Sequence, residues 1–152
     1  MPHLLFICTA NICRSPMAEA IFRDKAHKQG FTDWQVSSAG TWAMAERGAS
    51  RNGIIVMAQR GLDISQHRAR MVTGQMLAES DLVLCMEKGH AEALRAEFPS
   101  QAAKIYLLSQ MTGRKFDIAD PYTGPVEEYE RTANEISQLL EQGWPHILSL
   151  VK

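Results

Sequence analysis

One short turn brings a cysteine and an arginine together: Cys8-Thr9-Ala10-Asn11-Ile12-Cys13-Arg14-Ser15. Apolar Leu4-Leu5-Phe6-Ile7 leads into it, and Pro16 with a run of good helix formers leads out. Backbone N–H groups of a turn that feeds a helix can converge on an anion, and a phosphate dianion suits such a nest. Arg14 can add a bidentate fork to two phosphate oxygens. A helix N-terminus and a nearby cation also favour thiolate over thiol. The residues Thr9 to Ser15 would therefore hold a phosphate while Cys8 attacks it. Phosphoryl transfer asks the protein chiefly for positioning and charge stabilisation, but the leaving oxygen needs a proton. Asp120, in an Asp-Pro-Tyr turn far along the chain, is the candidate donor, and a positioned acid contributes roughly 10² to 10⁴ in rate. The chemistry is two-step: Cys8 takes the phosphoryl group, then Asp120 activates the water that releases it.

Such a turn must be carried by a strand and a helix, and the rest of the chain supplies the sheet. Leu4 to Cys8 reads as a buried strand, and Met17 to Gln29 as a helix with Ser15 and Pro16 at its start and Gly30 at its stop. Trp34 to Ser38 reads as a second strand, Gly40 to Gly48 as a loop and Arg51 to Arg60 as a helix. A short helix over Thr73 to Ala78, a strand over Asp81 to Met86 and a helix over Glu87 to Glu97 follow. Lys104 to Leu108 is the fourth strand, and a long connection runs from Ser109 to Gly124. Val126, Tyr129, Ala133, Ile136, Leu140, Gly143 and Ile147 form a helical stripe to the end, with Pro145 marking a kink or break. Strand-helix alternation predicts an α/β fold with a parallel sheet between layers of helices. Ligands of such sheets gather beyond the C-terminal strand ends, where the Cys8 turn lies.

Composition is that of an ordinary soluble domain: 152 residues, 45% hydrophobic and 22% charged, read as one domain over 1–152. A formal net charge of −1 indicates no general attraction to nucleic acid or to an anionic membrane. No apolar run approaches the roughly 20 residues of a membrane span, and the N-terminus has no signal-peptide pattern. Cys8, Cys13 and Cys85 are too few, and odd in number, for a disulfide scaffold; they point to a reducing cytoplasm. The histidines show no metal-ligand spacing.

The whole chain resembles the low-molecular-weight protein-tyrosine phosphatases. Phe6 to Glu19 is similar to the family's phosphate loop and first helix, and Ser38-Ala39-Gly40-Thr41, His67-Arg68-Ala69-Arg70, Asp81 to Met86 and Asp120-Pro121-Tyr122 follow in the family's order. The resemblance implies a three-layer fold whose four-stranded parallel sheet has order 2-1-3-4, no metal or organic cofactor, and a phosphotyrosine-containing protein as substrate. It further implies an unusual backbone conformation at Asn11, with Ser15, Ser38 and His67 bracing the loop. The family usually has Gly at Ala10; a positive φ there would cost about 1 kcal/mol. The pocket-wall aromatic falls at Met44, with Trp42 two residues earlier and Tyr122 opposite, and a common second tyrosine is Thr123. Cys13 is either packing or, as in some relatives, a disulfide partner that protects an oxidised Cys8.

Three other activities compete. A thiol-linked arsenate reductase shares the resemblance but needs a downstream cysteine pair, and only Cys85 is present. A protein-arginine phosphatase tends to carry Thr where this chain has Ile12. A non-catalytic phosphoprotein-binding module would not need Cys8, Arg14 and Asp120 together. The sequence carries no signal for oligomeric state.

Overall fold

The computed structural model describes residues 1–151. Its order is β1 (His3–Cys8), α1 (Arg14–Lys28), β2 (Gln35–Gly40), α2 (Arg51–Gln59), α3 (Gly74–Glu79), β3 (Leu82–Cys85), α4 (Lys88–Glu97), β4 (Ile105–Leu107), α5 (Val126–Gln142) and α6 (Trp144–Val151). Short 3₁₀ turns flank β4 at Pro99–Lys104 and Leu108–Thr112. The sheet is parallel throughout, in order β2-β1-β3-β4, as the resemblance implies.

Strand β1 is apolar on both faces because both faces are covered. Leu4 and Phe6 pack with Met17 and Phe22 of α1 and Ile136 and Leu140 of α5. Leu5 and Ile7 point the other way, to Leu77 of α3 and Ala91 and Leu94 of α4. The register pairs Cys8 with Gly40 and Ile7 with Cys85, so β1 ends between two neighbours. The loop after Cys8 therefore leaves from the middle of the sheet, at its C-terminal edge.

Several expected boundaries move. Helix α1 begins at Arg14, with Cys13 at its N-cap and no side-chain cap. Ser15 is thus the second residue of the helix, in the first turn with Pro16, and its hydroxyl is used by Asn11 and Cys8. Strand β2 extends to Gly40, which exchanges backbone hydrogen bonds with Arg70 and Val72. The C-terminal stripe breaks at Gly143, not at Pro145, which sits in the first turn of α6. A Cβ at Gly143 would lie 2.6 Å from Cβ of Met111, so the break falls where only glycine fits. Trp144 then packs beside Phe22, with ring centroids 5.4 Å apart. Among the described residues no helix is long and apolar enough to cross a membrane.

Candidate active site

The loop between β1 and α1 wraps a cavity of about 190 Å³ lined by Cys8, Thr9, Ala10, Ile12, Cys13, Arg14, Asp120 and Tyr122. The backbone N–H groups of Thr9 to Ser15 find no acceptor among the described residues. That is a row of donors at a helix N-terminus, the arrangement that binds anions.

Asn11 makes this curl possible. Its φ is 59°, in the left-handed region that Asn tolerates better than most residues. Four groups fix it. His67 Nε2 donates to its carbonyl at 2.7 Å, and Arg70 N–H donates to its Oδ1 at 3.0 Å. Its Nδ2 donates to Ser15 Oγ at 2.8 Å and to Ser38 Oγ at 3.0 Å. Ala10 does not have positive φ, so the penalty expected for replacing glycine there does not arise. Asn11 carries the strained conformation instead.

The polarity of this network follows from its donors. The Asn11 amide nitrogen can only donate, so Ser15 Oγ accepts from it and keeps its own proton for Cys8 Sγ, 3.0 Å away. Ser38 likewise accepts from Asn11 and passes its proton to Glu19 Oε1 at 2.6 Å. The Cys8 sulfur therefore faces a hydroxyl proton oriented by the Asn11 amide of the same loop.

Arg14 is almost fully buried, at 1% exposure. Its Nη1 donates to Glu87 Oε2 at 2.5 Å and to the Ile118 carbonyl at 2.7 Å. Its Nε has no partner among the described residues, and Nη2 lies 3.6 Å from Asp120 Oδ2. One edge of the guanidinium is thus anchored, and the other is free for an oxyanion in the cavity. Burying an unpartnered N–H is costly unless a ligand meets it.

Asp120 reaches the cavity from the loop after β4. Its Oδ1 accepts the Tyr122 N–H at 3.0 Å, which closes a local turn. Thr123 follows with φ 68°, an uncommon conformation for a β-branched residue. Tyr122 lines the cavity, and Arg47 Nη2 donates to its hydroxyl at 3.2 Å. Trp42 and Met44, expected on the wall, do not line the cavity; they stand exposed on the preceding loop at 80% and 71%.

The three thiols are all free. Cys13 lines the cavity and meets the Tyr129 hydroxyl at 3.3 Å; burial pushes its pKa up. Cys85 is wholly buried within β3, and desolvation raises it to about 12. Among the described residues no cluster of His, Cys, Asp or Glu could hold a metal ion.

Sequence reasoning missed Glu87 and His90. Glu87 caps α4 just beyond the end of β3, and an acid at the ligand edge of a parallel sheet was the available signal. His90 had no local signal at all, because its partner is Thr9, 2.8 Å from its Nε2.

The chain matches the sequence profile of the low molecular weight phosphotyrosine protein phosphatases over residues 3–148. It is 35% identical to the low molecular weight protein-tyrosine-phosphatase of Streptomyces coelicolor, across 99% of this chain and 93% of that one. It is 31% identical to the protein-arginine-phosphatase of Bacillus subtilis, across 91% and 92%. Among solved structures, the low molecular weight protein tyrosine phosphatase from T. tengcongensis superposes with a TM-score of 0.91 at 39% identity, covering 96% of this chain and 99% of that one. With a profile match over nearly its whole length, a shared sheet order and a thiol-bearing anion loop, this chain belongs to the low molecular weight protein-tyrosine-phosphatase family.

Proposed function

We propose that residues 1–152 act as one phosphatase domain that hydrolyses phosphotyrosine in protein substrates, with Cys8 as nucleophile, Arg14 as phosphate clamp and Asp120 as general acid. The observation that carries this is the buried guanidinium of Arg14: Nη1 is tied down, and Nε is unpartnered beside the cavity that Cys8 also lines. The loop N–H groups and Arg14 hold the three equatorial oxygens. Cys8 sulfur attacks phosphorus and the P–O bond breaks. Its electron pair goes to the phenolic oxygen, which takes the proton of the Asp120 carboxyl. Water then attacks the cysteinyl phosphate and gives a proton to Asp120. The S–P bond breaks, and inorganic phosphate leaves with the Cys8 thiolate restored, held by the Ser15 hydroxyl. Ser38 and His67 brace Asn11 and so hold the loop's curl.

The wall favours an aryl ester. Ile12 and Tyr122 line the cavity, a surface suited to a flat ring. Phosphoarginine is the second reading, because a relative of similar identity bears that name. An arsenate-reducing relay is disfavoured, since the downstream thiol, Cys85, is wholly buried and held protonated. Free thiols, the nucleophile included, suit a reducing compartment such as the cytoplasm. Pure protein assayed with phosphotyrosine peptides, phosphoarginine peptides and arsenate plus thiol tests the assignment. Turnover of the tyrosine peptides, abolished in Cys8→Ser, is expected; preference for either other substrate overturns it.

A further inference from the structure

His90 is 6% exposed and sits at the third position of α4. Both ring nitrogens are engaged. Nδ1 accepts the Glu87 N–H at 3.1 Å, so the neutral ring carries its proton on Nε2. That nitrogen lies 2.8 Å from Thr9 Oγ1. One imidazole therefore joins Thr9, the first residue after the nucleophile, to Glu87, whose carboxylate holds Nη1 of Arg14. Among the described residues, His90 is the side chain that links the loop to the counter-ion of its arginine through a hydrogen bond on each ring nitrogen.

We propose that neutral His90 is a positioning residue of the phosphate site, setting the Thr9 side of the loop and keeping Glu87 on Arg14. This rests on the reading of the Cys8 loop as a phosphate site. The ring never reaches the reacting atoms; it acts through Thr9 and Glu87.

The arrangement works only while the ring is neutral. Protonation would place a proton on Nδ1, facing the Glu87 N–H donor head-on. It would also set a second cation beside Arg14, and the imidazolium would compete for Glu87 Oε2, which lies 4.0 Å from Nε2. The charged groups around the ring are Arg14 from α1, Glu87 at the start of α4, and Asp117 and Asp120 from the loop after β4. Burial first, then Arg14, hold the imidazole below its ordinary value, against the three acids. The neutral form thus prevails near pH 7, and acidification loosens the clamp.

The test uses sulfate as a competitive inhibitor, because it stays a dianion across the range. His90→Ala, Thr9→Val, the double variant and His90→Gln are compared with the parent, with thermal unfolding as a check on folding. Gln at this helix position can still reach the N-cap N–H and does not titrate. Loss of a neutral hydrogen bond is worth about five-fold, so His90→Ala and Thr9→Val should each raise the sulfate inhibition constant about five-fold. The double variant should be little worse than either single one. As pH falls below 6.5, the parent should lose affinity relative to His90→Gln. Additive losses in the double variant, or parallel pH profiles for parent and His90→Gln, overturn the role of His90. Absence of sulfate inhibition and turnover in the parent itself would instead overturn the phosphatase reading on which it rests.

Discussion

Asp120 Oδ2 stands 3.6 Å from Nη2 of Arg14, although the two residues come from opposite ends of the chain. The gap is longer than an N–H···O hydrogen bond, so the carboxylate faces the guanidinium without being locked by it. Its other oxygen is occupied by the Tyr122 N–H. A group so placed can turn to a leaving oxygen above the phosphate. Asp120→Asn should slow hydrolysis of phosphotyrosine peptides on the order of 10²-fold or more. The loss should shrink as the phenol becomes more acidic, because a good leaving group needs no proton. Equal, small losses across a series of aryl phosphates would make Asp120 a turn residue only.

Arg14→Lys separates charge from shape. A lysine keeps one positive group for Glu87 but cannot present the free edge that Nε and Nη2 offer. We expect kcat to fall on the order of 10²- to 10³-fold, with the unfolding midpoint close to the parent's. Steady-state kinetics near normal would remove Arg14 from the role of clamp.

Gly40 ends β2 against the loop itself. A Cβ there would lie 2.4 Å from the Thr9 carbonyl oxygen and 3.1 Å from the Asn11 nitrogen. Both atoms are backbone and cannot move aside alone. Gly40→Ala should cost about 1–3 kcal/mol and lower activity more than stability alone explains, since the displaced atoms belong to the anion loop. Urea unfolding and kcat/KM measured on the same sample check this; wild-type values for both would contradict the close approach.

Cys85 makes alkaline stability testable. Burial raises its folded pKa from 9.0 to about 12. A raised folded pKa gives stability that is whole below the unfolded value and is lost as pH rises toward the folded one. The unfolded chain sheds this proton first, and the slope approaches about 1.4 kcal/mol per pH unit. Cys85→Ala should be less stable than the parent at pH 7 because it leaves a cavity. The gap should narrow as pH rises above 9.0. Denaturation curves for the two proteins that stay parallel through that window would show that Cys85 does not titrate on unfolding.

Much of this was readable from local pattern. The apolar run before Cys8, the Gly30 stop and the strand at Leu82–Cys85 are local signals, and the elements formed there within a residue or two. What was misread depended on contacts between distant segments. Ser15 reads only as a helix-start residue from its neighbours; its hydrogen bonds to Asn11 and Cys8 need the curled loop. The unusual conformation implied at Asn11 is present, at φ 59°, and Ala10 stays out of the left-handed region. Pro145 reads as the breaker until Gly143 meets Met111. His90 carries no sequence signal beyond the lack of ligand spacing, because its partner Thr9 lies far away in the chain.

The bend at Asn11 is held by His67, Arg70 and Ser38, and Arg14 by Glu87 and Ile118, so the loop owes its shape to segments that meet only in the native chain. An unfolded chain has no such anion site. On the proposed phosphatase reading, phosphate binds one side of the folding equilibrium alone, and the melting temperature becomes a titration curve for the ligand. At a hundred times its dissociation constant, an oxyanion adds about 2.7 kcal/mol to the stability of the entire domain. Heat resistance of this protein is in part a property of the solution it sits in.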